Sequence, residues 1–122
     1  MLQIDIAGCL RPVRLIDFEN PSNNRFAVAD EVSFGSPGNK ARFDIVLFVN
    51  GLPLVVGETK TAFKQKVSWV TAANEVADHY ETKFAPFFTT NVFSFATEGR
   101  ELMYGATGAR VEHWMTAGPT KD

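Results

Sequence analysis

Two apolar runs, Phe43–Val49 and Leu54–Lys60, flank Asn50-Gly51-Leu52-Pro53, and no other feature of the chain constrains its fold as strongly. Asn-Gly between β-formers is the strongest short-range hairpin signal, because both residues tolerate the positive φ of a tight turn. A three-residue loop over Asn50–Leu52 pairs positions whose numbers sum to 102, which sets Asp44 across from Glu58 at the outer end of the hairpin. Residues opposite one another on antiparallel strands lie about 4.5–5.5 Å apart at Cα. Beyond Asp44 the first run is apolar on both faces, which places it in the middle of a sheet under helical cover. Side chains alternate along a strand, so Glu58 and Lys60 share a face, Thr59 points the other way, and Asp44, Glu58 and Lys60 converge.

The remaining elements follow from composition and period. Val13–Phe18 reads as a strand followed by a loop, Glu19-Asn-Pro-Ser-Asn-Asn24. Arg25–Phe34 alternates, with Phe26, Val28, Val32 and Phe34 on one face, and stops at Gly35-Ser-Pro-Gly-Asn39. Ser68 caps a helix from Trp69 to about Lys83, in which Trp69, Ala73, Val76, Tyr80 and Phe84 form a sheet-facing stripe. Val92–Thr97 and Glu101–Tyr104 form a second hairpin around Glu98-Gly99-Arg100. Residues 1–12 are a short N-terminal segment. The stretch 105–122, small and polar around Trp114, has no clear period and is expected to be a weakly structured tail. This order makes residues 1–122 a single α/β (α+β) domain on one mixed sheet.

Composition narrows the function classes. The 122 residues contain one cysteine, Cys9, so neither a disulfide nor a cysteine zinc site staples the fold. A net charge of −2 argues against coating nucleic acid by bulk charge and makes any such contact local. Met1-Leu-Gln-Ile-Asp5 has an acid where a signal peptide is apolar, and the longest apolar stretch is broken at Asn50-Gly51 and Pro53. The expectation is a cytoplasmic protein without a membrane segment. His79 and His113 are too few and too far apart for a zinc site or a Ser-His pair.

Two carboxylates facing one another beside apolar strands repel, and a divalent cation removes the conflict. Hard oxygen ligands with room for water suit Mg²⁺, which takes one or two carboxylates and fills its shell with water and phosphate oxygens. A lysine alongside can orient an attacking water and offset charge growing at phosphorus. For an arbitrary hairpin, a solvated ion-pair patch is the competing interpretation.

The surrounding sequence favours the chemical one. Arg42-Phe-Asp44-Ile-Val-Leu-Phe-Val-Asn-Gly-Leu-Pro-Leu-Val-Val-Gly-Glu58-Thr-Lys60 resembles the D…ExK motif of the PD-(D/E)xK nucleases as it occurs in the restriction (R) subunits of type I restriction-modification enzymes. Leu15–Asn24, Val67-Ser-Trp69, His79-Tyr80-Glu81, Asn91–Gly99 and Tyr104-Gly105 continue the likeness in order, over most of Val13–Trp114. The resemblance implies a restriction-endonuclease-like mixed sheet with a long helix after the motif hairpin, and an endonuclease that hydrolyses DNA with Mg²⁺ or Mn²⁺. It makes Asp44, Glu58 and the Thr59 carbonyl metal ligands and Lys60 the catalytic lysine. Tyr80 matches the tyrosine of a helical Gln-x-x-x-Tyr motif that supports the site or DNA, whereas Val76 stands where the glutamine belongs. Arg42, Lys64 and Lys66, with Lys40, put positive charge where DNA phosphates would lie.

Other departures are Phe43 where a proline often precedes the aspartate, Gly57 in place of a bulky aliphatic, and a front end too short for the usual first core helix. With the missing glutamine, that front end keeps a second expectation open, a catalytically silent module for DNA binding or subunit docking. The family's modification and specificity subunits are the implied partners, and strand edges left uncovered at the N-terminus could pair two copies. No Gly-Lys-Ser or Gly-Lys-Thr occurs, so no ATP site is expected.

Overall fold

A computed structural model describes residues 2–60 and 69–118. Its centre is a six-stranded sheet in which spatial order follows chain order: β3 (Phe26–Ser36), β4 (Asn39–Val49), β5 (Leu52–Thr59), β6 (Phe93–Thr97), β7 (Leu102–Ala106) and β8 (Met115–Thr116). All neighbours are antiparallel except β5 and β6. A parallel pair needs a long crossover, and the helical segment supplies it. That segment runs through α1 (Trp69–Asn74), a π-helical turn (Glu75–Tyr80) and α2 (Glu81–Lys83), with helical dihedral angles at both junctions. This is the mixed α+β architecture expected from the sequence.

The hairpin forms with the expected outer register by a different route. Asn50 and Gly51 alone make the turn, with φ of 52° and 81°, the signature of a two-residue type I′ connection. Val49 pairs Leu52 and Phe48 pairs Pro53, but Leu47 pairs Val55, so Leu54 is bulged out. The bulge restores the sum of 102 at Ile45 and Gly57, and the next position along is Asp44 against Glu58.

The core lies between the sheet and the helical segment. Phe43, Val46, Val56, Ala73, Val76, Tyr80, Phe84 and Ala96 are buried together, so the predicted stripe faces the sheet. Burying each large side chain contributes roughly 1.5–3 kcal/mol. Phe43 is the hub, stacked on Phe87 at 4.5 Å and edge-on to Tyr80 at 4.9 Å. Phe43 and Val46 are both fully buried although three residues apart, so the alternation of faces slips at Asp44. There the β3–β4 ladder is interrupted without a change of register, leaving out Glu31 and Asp44, and Glu31 adopts a φ of 51°.

The N-terminal strand is displaced from its expected place. Residues 13–18 form no strand. Instead β1 (Gln3–Ile6) and β2 (Cys9–Pro12) make a separate exposed ribbon around Ala7-Gly8. The reason lies in Asp17, whose Oδ1 accepts from the backbone N–H groups of Glu19 and Asn20 and whose own N–H donates to Asn24. Asn50 then ties this loop to the hairpin tip by donating to Leu15 O at 2.7 Å and accepting from Arg25 N at 2.8 Å. Beyond Gly105, Trp114 is buried and β8 pairs with β7.

Candidate active site

The site lies at the end of β5, on the face covered by the helix. Alternation from the buried Val56 turns Glu58 toward the core, beside Ala96 of β6, and leaves it only 3% exposed. A bond from Lys60 N to Thr97 O at 2.9 Å fixes the end of the strand. Lys60 Nζ donates to Glu58 Oε1 at 3.1 Å, while Glu58 Oε2 is buried with no hydrogen-bond partner among the described residues. Such an orphaned charged oxygen costs free energy and calls for an explanation.

Asp44 joins the group through Thr59. The Thr59 N–H and hydroxyl donate to Asp44 Oδ2 at 2.8 and 2.9 Å, so the Thr59 side chain reaches for Asp44 and does not point away from the site as strict alternation implied. The structure therefore brings Glu58 and Lys60 into contact and sets Asp44 against the backbone between them.

A further carboxylate escaped the sequence reading. Glu75 Oε2 accepts from Lys60 Nζ at 2.5 Å, and Glu75 Oε1 accepts from the Tyr80 hydroxyl at 3.0 Å. These partners are five residues apart, a spacing that an α-helix does not bring face to face. The π turn, with its i→i+5 repeat, does so, and Glu75 thereby occupies the place beside Tyr80 that regular α-helical spacing gives to Val76. Val76 itself is core. Tyr80 has its ring buried against Phe43 and its hydroxyl in the polar cluster.

Electrostatics follow from this crowding. Burial pushes the Glu58 carboxyl up to about 7; the hydrogen bond from Lys60 opposes the rise, and the charges of Glu75 and Asp44 add to it. Burial also disfavours the charged forms of Lys60 and Glu75, but their mutual hydrogen bond prevails, raising the pKa of Lys60 and lowering that of Glu75. The Tyr80 hydroxyl is held protonated by burial and by the neighbouring negative charge of Glu58 and Glu75.

The expected basic groups are less engaged. Arg42 lies 3.5 Å from Glu31 with both side chains largely exposed, a pairing that contributes about 0–1 kcal/mol. Lys64 and Lys66, like the cap Ser68, fall outside the described residues. Gly57, the small residue beside Glu58, does not leave a gap, because the ring of Phe95, its partner on β6, fills the space a side chain would take. Among the described residues, no group of three or more His, Cys, Asp and Glu side chains is placed to hold a metal ion unaided. Two carboxylates completed by water and phosphate oxygens remain within the range of Mg²⁺.

Residues 4–113 match the family model for the type I restriction enzyme R protein N terminus. The chain belongs to this family. It is 36% identical over 98 residues to the type I restriction enzyme HindI endonuclease subunit of Haemophilus influenzae, across 80% of this chain and 9% of that protein. Two proteins of Methanocaldococcus jannaschii, provisionally named as type I restriction enzyme endonuclease subunits MjaVIIIP and MjaVIIP, are 34% and 36% identical over 75% and 80% of the chain. The match again spans 9% of each relative. Family membership covers the hairpin, the helical segment and the β6–β7 pair. No helix among the described residues is long and apolar enough to cross a membrane.

Proposed function

We propose that this chain is the nuclease domain of a type I restriction system, hydrolysing DNA phosphodiester bonds with Mg²⁺ or Mn²⁺ held by Asp44, Glu58 and the Thr59 carbonyl. The observation that carries this reading is Glu58. A buried carboxylate with one oxygen unpartnered and its pKa raised to about 7 is poorly stabilised as it stands, and a cation shared with Asp44 would give that oxygen a partner and offset the repulsion. When bound, the cation supplies Lewis acidity at a phosphoryl oxygen and lowers the pKa of water. Lys60 orients the attacking water and offsets the charge that develops on the phosphoryl oxygens. Thr59 fixes Asp44 through two hydrogen bonds, so the aspartate needs little reorganisation.

Arg42, Lys64 and Lys66 would touch the DNA backbone, giving affinity that is sequence-independent and falls with salt. Sequence choice would then rest with the specificity subunit and methylation with the modification subunit, both as partners. The test is plasmid nicking with Mg²⁺ or Mn²⁺ by the wild-type chain, Asp44→Ala and Lys60→Ala. Nicking should be lost in both variants. Equal nicking by all three removes the enzyme and leaves the catalytically silent module for DNA binding or subunit docking.

A further inference from the structure

Among the described residues Lys60 has two carboxylate partners, and they are not equivalent. Glu58, at 3.1 Å, projects from the strand that ends one residue before the lysine, whereas Glu75, at 2.5 Å, reaches across from the helical segment. Glu75 is itself braced by Tyr80, whose ring is locked in the core against Phe43 and whose hydroxyl also lies 3.5 Å from Arg42 O. The brace exists because the backbone takes a π turn over Glu75–Tyr80, and such turns recur at functional sites.

The consequence appears when a cation engages Glu58. That carboxylate then has less charge to offer the ammonium, and the cation repels Nζ. Without another anchor, the flexible lysine side chain would leave the site. We propose that Glu75 is the positioning residue for Lys60: held by Tyr80 across the π turn, its carboxylate keeps the Lys60 amine beside Glu58 when that carboxylate is occupied. This inference rests on the nuclease reading above and adds a working part to it.

The test compares Glu75→Ala, Glu75→Gln and Lys60→Ala with wild type in two assays. In plasmid nicking with Mg²⁺, Glu75→Ala should lower kcat about 10–100-fold, as expected for a displaced catalytic group, while KM for plasmid stays near wild type. Glu75→Gln keeps the shape and an acceptor for Nζ and should fall between the two. In the second assay, the ¹⁵Nζ ammonium resonance of Lys60 is followed as Ca²⁺ is added without DNA. It should persist in wild type and vanish in Glu75→Ala. Loss of the resonance from wild type on adding Ca²⁺ overturns the inference, as does full nicking by both Glu75 variants while Lys60→Ala is inactive. Full nicking by Lys60→Ala instead removes the nuclease reading, and this inference with it.

Discussion

Replacing Glu58 by Gln should make the protein more stable above neutral pH while abolishing its response to divalent cations. Glu58 is 3% exposed, and its pKa rises from the ordinary 4.5 to about 7. At about 1.4 kcal/mol for each tenfold change in proton affinity, the ionised side chain disfavours the fold by about 3 kcal/mol. A folded-state pKa above the unfolded value gives stability that is complete below pH 4.5 and lost as pH rises through about 7. Wild type without divalent cations should therefore weaken across that window, and Glu58→Gln should not.

The net shift already contains the opposing bond from Lys60, so a neutral amide that stands in for the protonated carboxyl should regain about 3 kcal/mol once Glu58 would be ionised. For a domain of this size that corresponds to a Tm about 10 °C higher than wild type at pH 8. The lowered pKa of Glu75 acts with the opposite sign, its contribution fading as pH falls below the ordinary 4.5, so the comparison is kept at and above that pH. Thermal melts followed by circular dichroism in EDTA from pH 4.5 to 8 measure that difference directly. It should be near zero at the acid end and grow with pH. A difference that does not change with pH would refute the reasoning. Adding Mg²⁺ at 100 times its Kd should return about 2.7 kcal/mol to wild type and nothing to the variant.

Other outcomes follow from single contacts. Gly57→Ala places a methyl group inside the space of the Phe95 ring and should destabilise by about 1–3 kcal/mol; the double variant Gly57→Val/Phe95→Ala should recover part of the loss in urea melts. Gly105→Ala meets the indole of Trp114 in the same way, so its melt should also lose the fluorescence signature of a buried tryptophan. Tyr80→Phe keeps the ring in the core but frees Glu75 Oε1, and should lower the nicking rate with little change in Tm.

Legibility of the fold tracked how local each signal was. Asn50-Gly51 announces the hairpin, and the outer register, observed as far as Ile45 against Gly57, came out correctly because it requires only that one odd residue be added to a two-residue turn. Whether the odd residue sits in the loop or in a bulge at Leu54 leaves that pairing unchanged. The strand expected over Val13–Phe18 failed for a nonlocal reason. Its β-branched residues favour a strand, but Asp17 and Asn24 satisfy the backbone locally and Asn50 captures Leu15 from 35 residues away. The N-terminal ribbon is signalled by Leu2, Ile4 and Ile6 before Ala7-Gly8 and Leu10 after it, where Ala7 takes a φ of 53°, an alternation too short and too exposed to stand out.

The site divides in the same way. Glu58 and Lys60 are two residues apart at the end of β5, where the bond from Lys60 N to Thr97 O continues the extended backbone, so alternation brings them together. Glu75 could not be found that way, because every periodic template for a helix places partners three or four residues apart, and Glu75 meets Tyr80 at five. A signal was available nonetheless. Tyr80 on an apolar stripe carries a hydroxyl that must find a partner once buried, and with Val76 occupying the i−4 position only a departure from α-helical geometry could deliver a polar group on the same side. An apolar residue four positions before a buried tyrosine, with an acid just before it, thus suggests where such a helix widens by one residue. The acid so delivered completes an arrangement of one amine between two carboxylates, one of them free at one oxygen to bind and the other tied at both to the protein.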